Sequence, residues 1–201
     1  MSTKKQRRSE RFKDRQKKKS TRIVYLIAIA GGVVILLVIF FVILFNALFP
    51  PVGKERQALD IYFSDPQELF LVAEKRYVFK EEDAARQAGE IVRALLAGSK
   101  SGNVDTFPAG VTLRDVKVDK DGVAYVDFSS SLLTLHPGGS TAEMATIYSL
   151  TNTLAHNVSE IKAVRIQVEG RNIPSIKGHI STDKSFQPDP GLLVAAKDKS
   201  N

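Results

Sequence analysis

From Ile23 to Phe49 the chain reads IVYLIAIAGGVVILLVIFFVILFNALF, 27 residues without a charge. About 20 apolar residues suffice to cross a ~30 Å hydrocarbon core as a helix. A helix of this length reaches roughly 40 Å, so it must tilt or let its ends emerge. Tyr25 and Asn46 suit the two interfaces, and Pro50-Pro51 ends the helix because proline lacks an N–H and disfavours helix at the residue before it. A cleaved signal peptide is the rival reading. Its apolar region is about 7–15 residues and closes on a small-x-small site, where Phe45-Asn46-Ala47 places a bulky ring. An uncleaved anchor over residues 23–49 is the expectation.

Charge orients that anchor. The net +7 is concentrated in residues 1–22, which hold eleven Lys/Arg against Glu10 and Asp14, a net +9, whereas the rest of the chain sums to −2. Lys54 and Arg56 are the only basic residues shortly after the apolar run. The positive-inside rule therefore places the basic tail in the cytoplasm and everything after residue 50 on the periplasmic, extracytoplasmic side of a cytoplasmic (inner) membrane crossed once. The bilayer is then a partner, and anionic lipid headgroups suit the tail at about 1 kcal/mol per basic residue. Nucleic acid is the weaker reading of the same charge. Ala28-x-x-x-Gly32 is a small-x-x-x-small pair at which two anchors could self-associate. The chain has no cysteine, which excludes disulfides, thiol catalysis, Cys-based metal sites and a lipidated N-terminal Cys.

Past a linker, residues 50–57, the pattern becomes that of a small domain over residues 58–183. Leu59, Ile61 and Phe63 alternate as a half-buried strand does, and Ser64-Asp65-Pro66 is a turn cluster. A second run from Leu69 to Phe79 reads as a strand that bends or becomes an edge at Glu74-Lys75-Arg76. A helix follows: acids at 81–83 favour its first turn, Ala84, Ala88, Ile91, Val92 and Leu95 form one face, Arg86, Gln87, Glu90 and Arg93 the other, and Gly98 is the C′ residue. Thr112–Val118 and Val123–Phe128 are strands joined through Asp119-Lys120-Asp121-Gly122, whose Asp-Gly is a hairpin signal. Ser140-Thr141-Ala142-Glu143 matches a capping box ahead of a helix with Met144, Ile147, Thr151, Leu154 and Val158 as its stripe. Val164, Ile166 and Val168 then alternate with polar residues as a last strand. The β-β-α-β-β-α-β order implies an α+β domain, with one mixed sheet of four to five strands and two helices packed on one face. Residues 184–201, rich in Pro, Asp, Lys and Ser, are expected to be a disordered tail.

Several strings here have the order and spacing of a known domain: Ile61-Tyr62-Phe63-Ser64-Asp65, Leu95-Leu96-Ala97-Gly98, Phe107-Pro108-Ala109-Gly110-Val111-Thr112-Leu113, and Gly122 through Phe128. Thr151-Asn152-Thr153-Leu154, Val164 through Gly170 and Gly178-His179-Ile180 continue it. Over roughly residues 58–181 the chain resembles the GerMN domain of the sporulation and spore-germination GerM family. The resemblance implies a small α+β domain, similar to ring-building modules of envelope and secretion assemblies, working outside the membrane without a known catalytic residue. Founding members resemble lipoproteins, often with two copies of the domain. This chain has one copy and no lipidation Cys.

The residues themselves offer no catalytic constellation, no cofactor motif and no metal set. His136, His156 and His179 are far apart and lack a ligand at helical spacing, so surface or capping roles are expected of them. Asp119-x-Asp121-Gly122 lacks the later ligands of a calcium loop, and Ser129-Ser130-Ser131 lacks a nucleophile-elbow frame. Asn157-Val158-Ser159 matches a glycosylation acceptor, as short strings often do by chance. Asp60 with Asp65, and Asp115 with Asp127, are carboxylate pairs that sequence alone does not bring into one cleft. The expectation is a non-catalytic protein-interaction or assembly module of the bacterial cell envelope, with envelope proteins as partners. The alternative is a cell-wall glycan or peptide binding domain, or a weak hydrolase.

Overall fold

The computed structural model describes residues 29–45, 48 and 55–194, and the chain divides into two compact units, Met1–Gly53 and Lys54–Asn201. In the first unit residues 29–45 form helix α1, with every side chain exposed. Among the described residues no helix is long and apolar enough to cross a membrane. The rest of the expected span (23–28, 46, 47 and 49), the basic tail and residues 50–54 of the linker lie outside the described residues.

The second unit begins with β1 (Arg56–Ser64) and β2 (Leu71–Phe79), paired antiparallel from Arg56 opposite Phe79 to Ser64 opposite Leu71. Helix α2 (Ala84–Leu96) follows, capped by the Asp83 carboxylate, which accepts from the Arg86 N–H, and closed by Gly98 at φ +74°. Next come β3 (Leu113–Val118), β4 (Val123–Phe128), the short α3 (Ser131–Leu135) and the long α4 (Ser140–Asn157). β5 (Ala163–Val168) and the two-residue β6 (Arg171–Asn172) complete a four-stranded sheet of order β3-β4-β5-β6, parallel between β4 and β5 and antiparallel elsewhere. One apolar core joins Ile61 and Phe63 of β1, Ile91, Val92 and Leu95 of α2, Val126 and Phe128 of β4, Ile147, Leu150 and Leu154 of α4, and Val164 and Ile166 of β5.

The fold is α+β with a four-stranded mixed sheet, but the expected single sheet is two. β1 and β2 form a ribbon of their own. The reason lies on the second edge of β1, whose backbone groups at residues 60, 62 and 64 are already taken. Thr153 Oγ1 accepts from the Tyr62 N–H at 3.0 Å, and the Asn157 amide accepts from the Asp60 N–H at 3.3 Å and donates to the Asp60 carbonyl at 2.7 Å. Ser64 exchanges both backbone bonds with Val104. Four residues of helix rise about 6 Å and two residues of strand about 6.7 Å, so side chains at i and i+4 on α4 meet successive edge positions of β1. A helix lies where a third strand would pair.

α4 carries more than an apolar stripe. Glu143, Thr146, Ser149, Thr151, Asn152 and Thr153 are all buried, and most bond to a neighbouring segment. Thr146 donates to the Thr106 carbonyl, Ser149 to the Thr106 hydroxyl, and the Asn152 amide exchanges two bonds with the backbone of Asp189. Met144, expected on the buried stripe, is exposed. The capping box does not form: Gly139 is the N-cap without a side-chain bond, and Glu143 turns to the loop at 177–180.

Three further expectations are corrected in whole or in part. β2 is an edge strand of the ribbon, one of the two expected alternatives, but it does not bend: it runs unbroken through Glu74-Lys75-Arg76, with the Glu74 carboxylate turned inward. That carboxylate accepts from Ser99 Oγ, from the N–H groups of Lys100 and Ser101, and from Arg76. Gln87, expected on the outer face of α2, is buried and bonds to Gln57, the Glu81 N–H and the Phe79 carbonyl. The segment after Lys184 packs on the domain: Phe186 exchanges two backbone bonds with Val164, Pro190–Leu192 make a 3-10 turn, and Val194 donates to the Leu71 carbonyl. Residues 195–201 lie outside the described residues.

Thr153→Val should cost about 1–3 kcal/mol, because it leaves the buried Tyr62 N–H without an acceptor. Thr151→Val should cost less than about 1 kcal/mol, since the Thr151 hydroxyl bonds only back to Ile147 in its own helix. Thermal unfolding followed by circular dichroism separates the two.

Candidate functional site

The loop from Asp65 to Phe70, at the tip of the β1–β2 ribbon, is built around one carboxylate. Asp65 Oδ1 accepts from the N–H groups of Leu69 and Phe70, both at 2.8 Å, while the Asp65 N–H donates to the Phe70 carbonyl. The Phe70 N–H bond, foremost among several backbone bonds, holds the Asp65 carboxyl below its ordinary value. The pinned loop presents Leu69 at 68% exposure and Phe70 at 46%. Met144, from the first turns of α4, stands beside them at 38%.

These side chains border a groove of about 230 Å³ between the loop and α4, floored by Leu71, Tyr148 and Leu192. A second recess, of about 300 Å³, lies between the loop, Val104–Pro108 and His136. The two share Ser64, Glu68 and Ala145. Glu68 holds φ at +56°, a left-handed conformation costly for a residue with a Cβ.

The recess is backed by a polar network at the start of α4. The Gly138 N–H donates to His136 Nδ1 at 3.0 Å, so Nε2 carries the proton and donates to Thr146 Oγ1 at 3.0 Å. Burial pushes the His136 imidazole below its ordinary 6.5. Burial pushes the Glu143 carboxyl up, but bonds from His179, Ile180 and the Lys177 backbone outweigh it and hold the group below its ordinary 4.5. The surface role expected of His136 is therefore corrected, since its ring is buried. His179, half-exposed, lies at the start of α4, with Nδ1 2.8 Å from Glu143 and 3.3 Å from the N–H of the N-cap residue Gly139. His156 lies at the end of α4, edge-on to the Tyr62 ring and 3.7 Å from Asp60.

The remaining sequence candidates stay apart. Asp60 pairs with Lys75 on the ribbon, away from Asp65 at its tip. Asp115 and Asp127 are opposite each other across β3 and β4, yet Asp127 accepts from Arg114 and the Gly170 N–H, whereas Asp115 faces Lys117. Asp119 accepts from the N–H groups of Asp121 and Val123 and so closes the hairpin turn. Asn157 spends its amide on Asp60, not on a sugar site. A polar recess of about 460 Å³ between α2 and β3 holds Arg86, Arg93 and Arg114, all three ion-paired: with Asp83, with Glu90, and with Asp127 and Glu169. Among the described residues no group of three or more His, Cys, Asp or Glu could hold a metal ion.

Residues 60–174, which contain most of the ribbon, helices α2 and α4 and the whole mixed sheet, match the family Germane, described as sporulation and spore germination. The chain belongs to the Germane family. Solved structures share its fold. The first GerMN domain of the sporulation protein GerM from Bacillus subtilis is 23% identical, with a TM-score of 0.52, over 67% of this chain and 98% of that one. The tandem GerMN domains of the same protein are 24% identical, with a TM-score of 0.52, over 65% of this chain. This chain spans 46% of that tandem structure, about half its length. No curated protein matches the chain. The Germane match ends before Ile176, so His179, which bonds Glu143, and the segment carrying Leu192 and Val194 lie beyond it.

Sequence reading passed over Glu68 and the exposure of Leu69 and Phe70, which looked like the start of a buried strand. The signal that could have found them was the Ser-Asp-Pro cluster, whose aspartate lies four residues before Leu69.

Acid should weaken this end of the domain in two stages. Both His136 and Glu143 have lowered pKa values when folded, so each contribution is complete above its ordinary value, 6.5 or 4.5, and is lost as the pH falls toward the folded one. His136→Asn should flatten the limb of the melting-temperature profile just below pH 6.5 and leave the more acidic limb. Glu68→Gly should stabilise by about 0.5 kcal/mol and raise Tm by about 1–2 °C, relief of the left-handed φ exceeding the added freedom of the unfolded chain.

Proposed function

We propose that this Germane protein is a membrane-anchored, extracytoplasmic, non-catalytic interaction or assembly module of the bacterial cell envelope, and that the ribbon tip is its contact surface. The observation that carries the reading is the apolar surface made by Leu69, Phe70 and Met144 around a groove, on a loop pinned by Asp65. Exposed apolar side chains grouped on a rigid support are the usual mark of a protein contact. Membership of a family described by sporulation and spore germination is consistent with a module that works through partners. The apolar run over residues 23–49 and the basic residues before it support the anchor and its orientation. The glycan-binding or hydrolase alternative has less support, because the arginines of the polar recess are paired locally and its carboxylates do not converge.

A photo-crosslinking amino acid at Phe70 of the full chain, activated in living cells, should capture discrete protein neighbours. The same group at Lys117, on the exposed face of β3, should capture none of them. Equal capture from both positions, or none from Phe70, would sink the contact surface.

A further inference from the structure

Granting the ribbon tip as the contact surface, we propose that it receives a protein segment in which a lysine or arginine stands between two apolar side chains. The groove and the neighbouring recess meet at Ser64, Glu68 and Ala145, so one extended segment that reaches both crosses this boundary, where Glu68 is the charged residue. The groove is walled by Leu69, Phe70 and Met144, and the recess by Phe107 and Pro108. Each offers a seat for an apolar side chain.

Charge selects the residue between the seats. Among the described residues Glu68 and Asp105 are the charged residues that line the two cavities, and no lysine or arginine lines either. His136, on the lining of the recess, is held neutral by donating from Nε2 and accepting at Nδ1. Among the described residues the Glu68 carboxylate has no hydrogen bond or ion pair. The lining is therefore acidic and apolar together, which suits a cationic, apolar segment and disfavours anionic lipid headgroups.

Backbone strain sharpens the assignment. Among the described residues two non-glycine residues have positive φ, Glu68 at +56° and Glu169 at +51°. Glu169 has a structural return for its conformation: its carboxylate accepts from the Ser130 N–H at 2.8 Å and pairs with Arg114. The Glu68 N–H donates to the Asp65 carbonyl at 2.9 Å, but its carboxylate has no such bond among the described residues. A charged side chain held in a left-handed conformation, pointing to no internal partner and flanked by two cavities, has the arrangement of a recognition residue. A cation bound there would meet the carboxylate beside apolar walls, where a charge-assisted bond is stronger than in open water.

The test is selection of random linear peptides displayed on phage against the full chain held in nanodiscs, with empty nanodiscs as background. The expected result is enrichment of peptides carrying Lys or Arg between apolar residues. Synthetic copies should bind the Glu68→Gln chain at least about tenfold more weakly, the scale of one lost charge-assisted contact. Selection on Glu68→Lys should replace the basic residue with Asp or Glu. Glu68→Gly should melt higher than the native chain and yet lose the peptides, which separates recognition from folding. Enrichment without basic preference, unchanged affinity in Glu68→Gln, or no enrichment would each overturn the proposal. If crosslinking from Phe70 still captures neighbours, the contact surface stands and only its assigned chemistry falls.

Discussion

The pairing of a helix with the edge of a strand is the constraint on which this domain depends. A two-stranded ribbon is marginal alone, and β1 would normally find a third strand. Here Thr153 and Asn157 supply, from side chains, the acceptors and donor that such a strand would supply from its backbone. The match works because a helical step of four residues nearly equals a strand step of two. Asn152 repeats the device with Asp189 on another side of α4, and Thr146 and Ser149 bind the loop at Thr106. α4 is thus a hub whose polar groups hold four separate segments in register. Its buried polarity is bonded to those segments and is no flaw in the core.

That hub explains why the proposed contact surface is preformed. The groove has one wall on the ribbon loop and the other on α4. Bonds at Tyr62 and Asp60 fix the ribbon to the helix, and Asp65 fixes the loop to the ribbon. The C-terminal segment adds Leu192 to the floor and is held by Asn152 and by Leu71. A partner arriving there need not order the loop first, which keeps the entropic cost of binding low.

What could be read in the sequence was what local periodicity encodes. The stripe on α2, the alternation of Val164, Ile166 and Val168, and the Asp119–Gly122 turn each state their structure within a few residues, and the folded domain agrees, with Gly122 at φ +83°. The role of α4 was hidden because its partners are distant: Tyr62 is 91 residues from Thr153, and Asp60 is 97 from Asn157. A threonine or asparagine in a helix looks alike whether it meets water or a strand edge, so the two-sheet arrangement could not be read locally. The apolar surface at the ribbon tip was concealed for a similar reason. Leu69 and Phe70 have the composition of a core strand, and only the three-dimensional turn at Asp65 leaves them outside. The Asp-rich end of the chain looked unstructured because Phe186 and Asp189 find their partners across the fold, not nearby.

The ribbon also has a mechanical meaning. β1 is the first element of its unit, and the chain enters it at Arg56, at the end opposite the Ser64–Leu71 tip. A pull delivered through the preceding chain therefore runs along the axis of β1. It loads the β1–β2 bonds and the Thr153 and Asn157 bonds in shear, so that they share the force instead of breaking in succession like a zipper. A tether attached to this strand would transmit tension to the tip without first unravelling the domain between them.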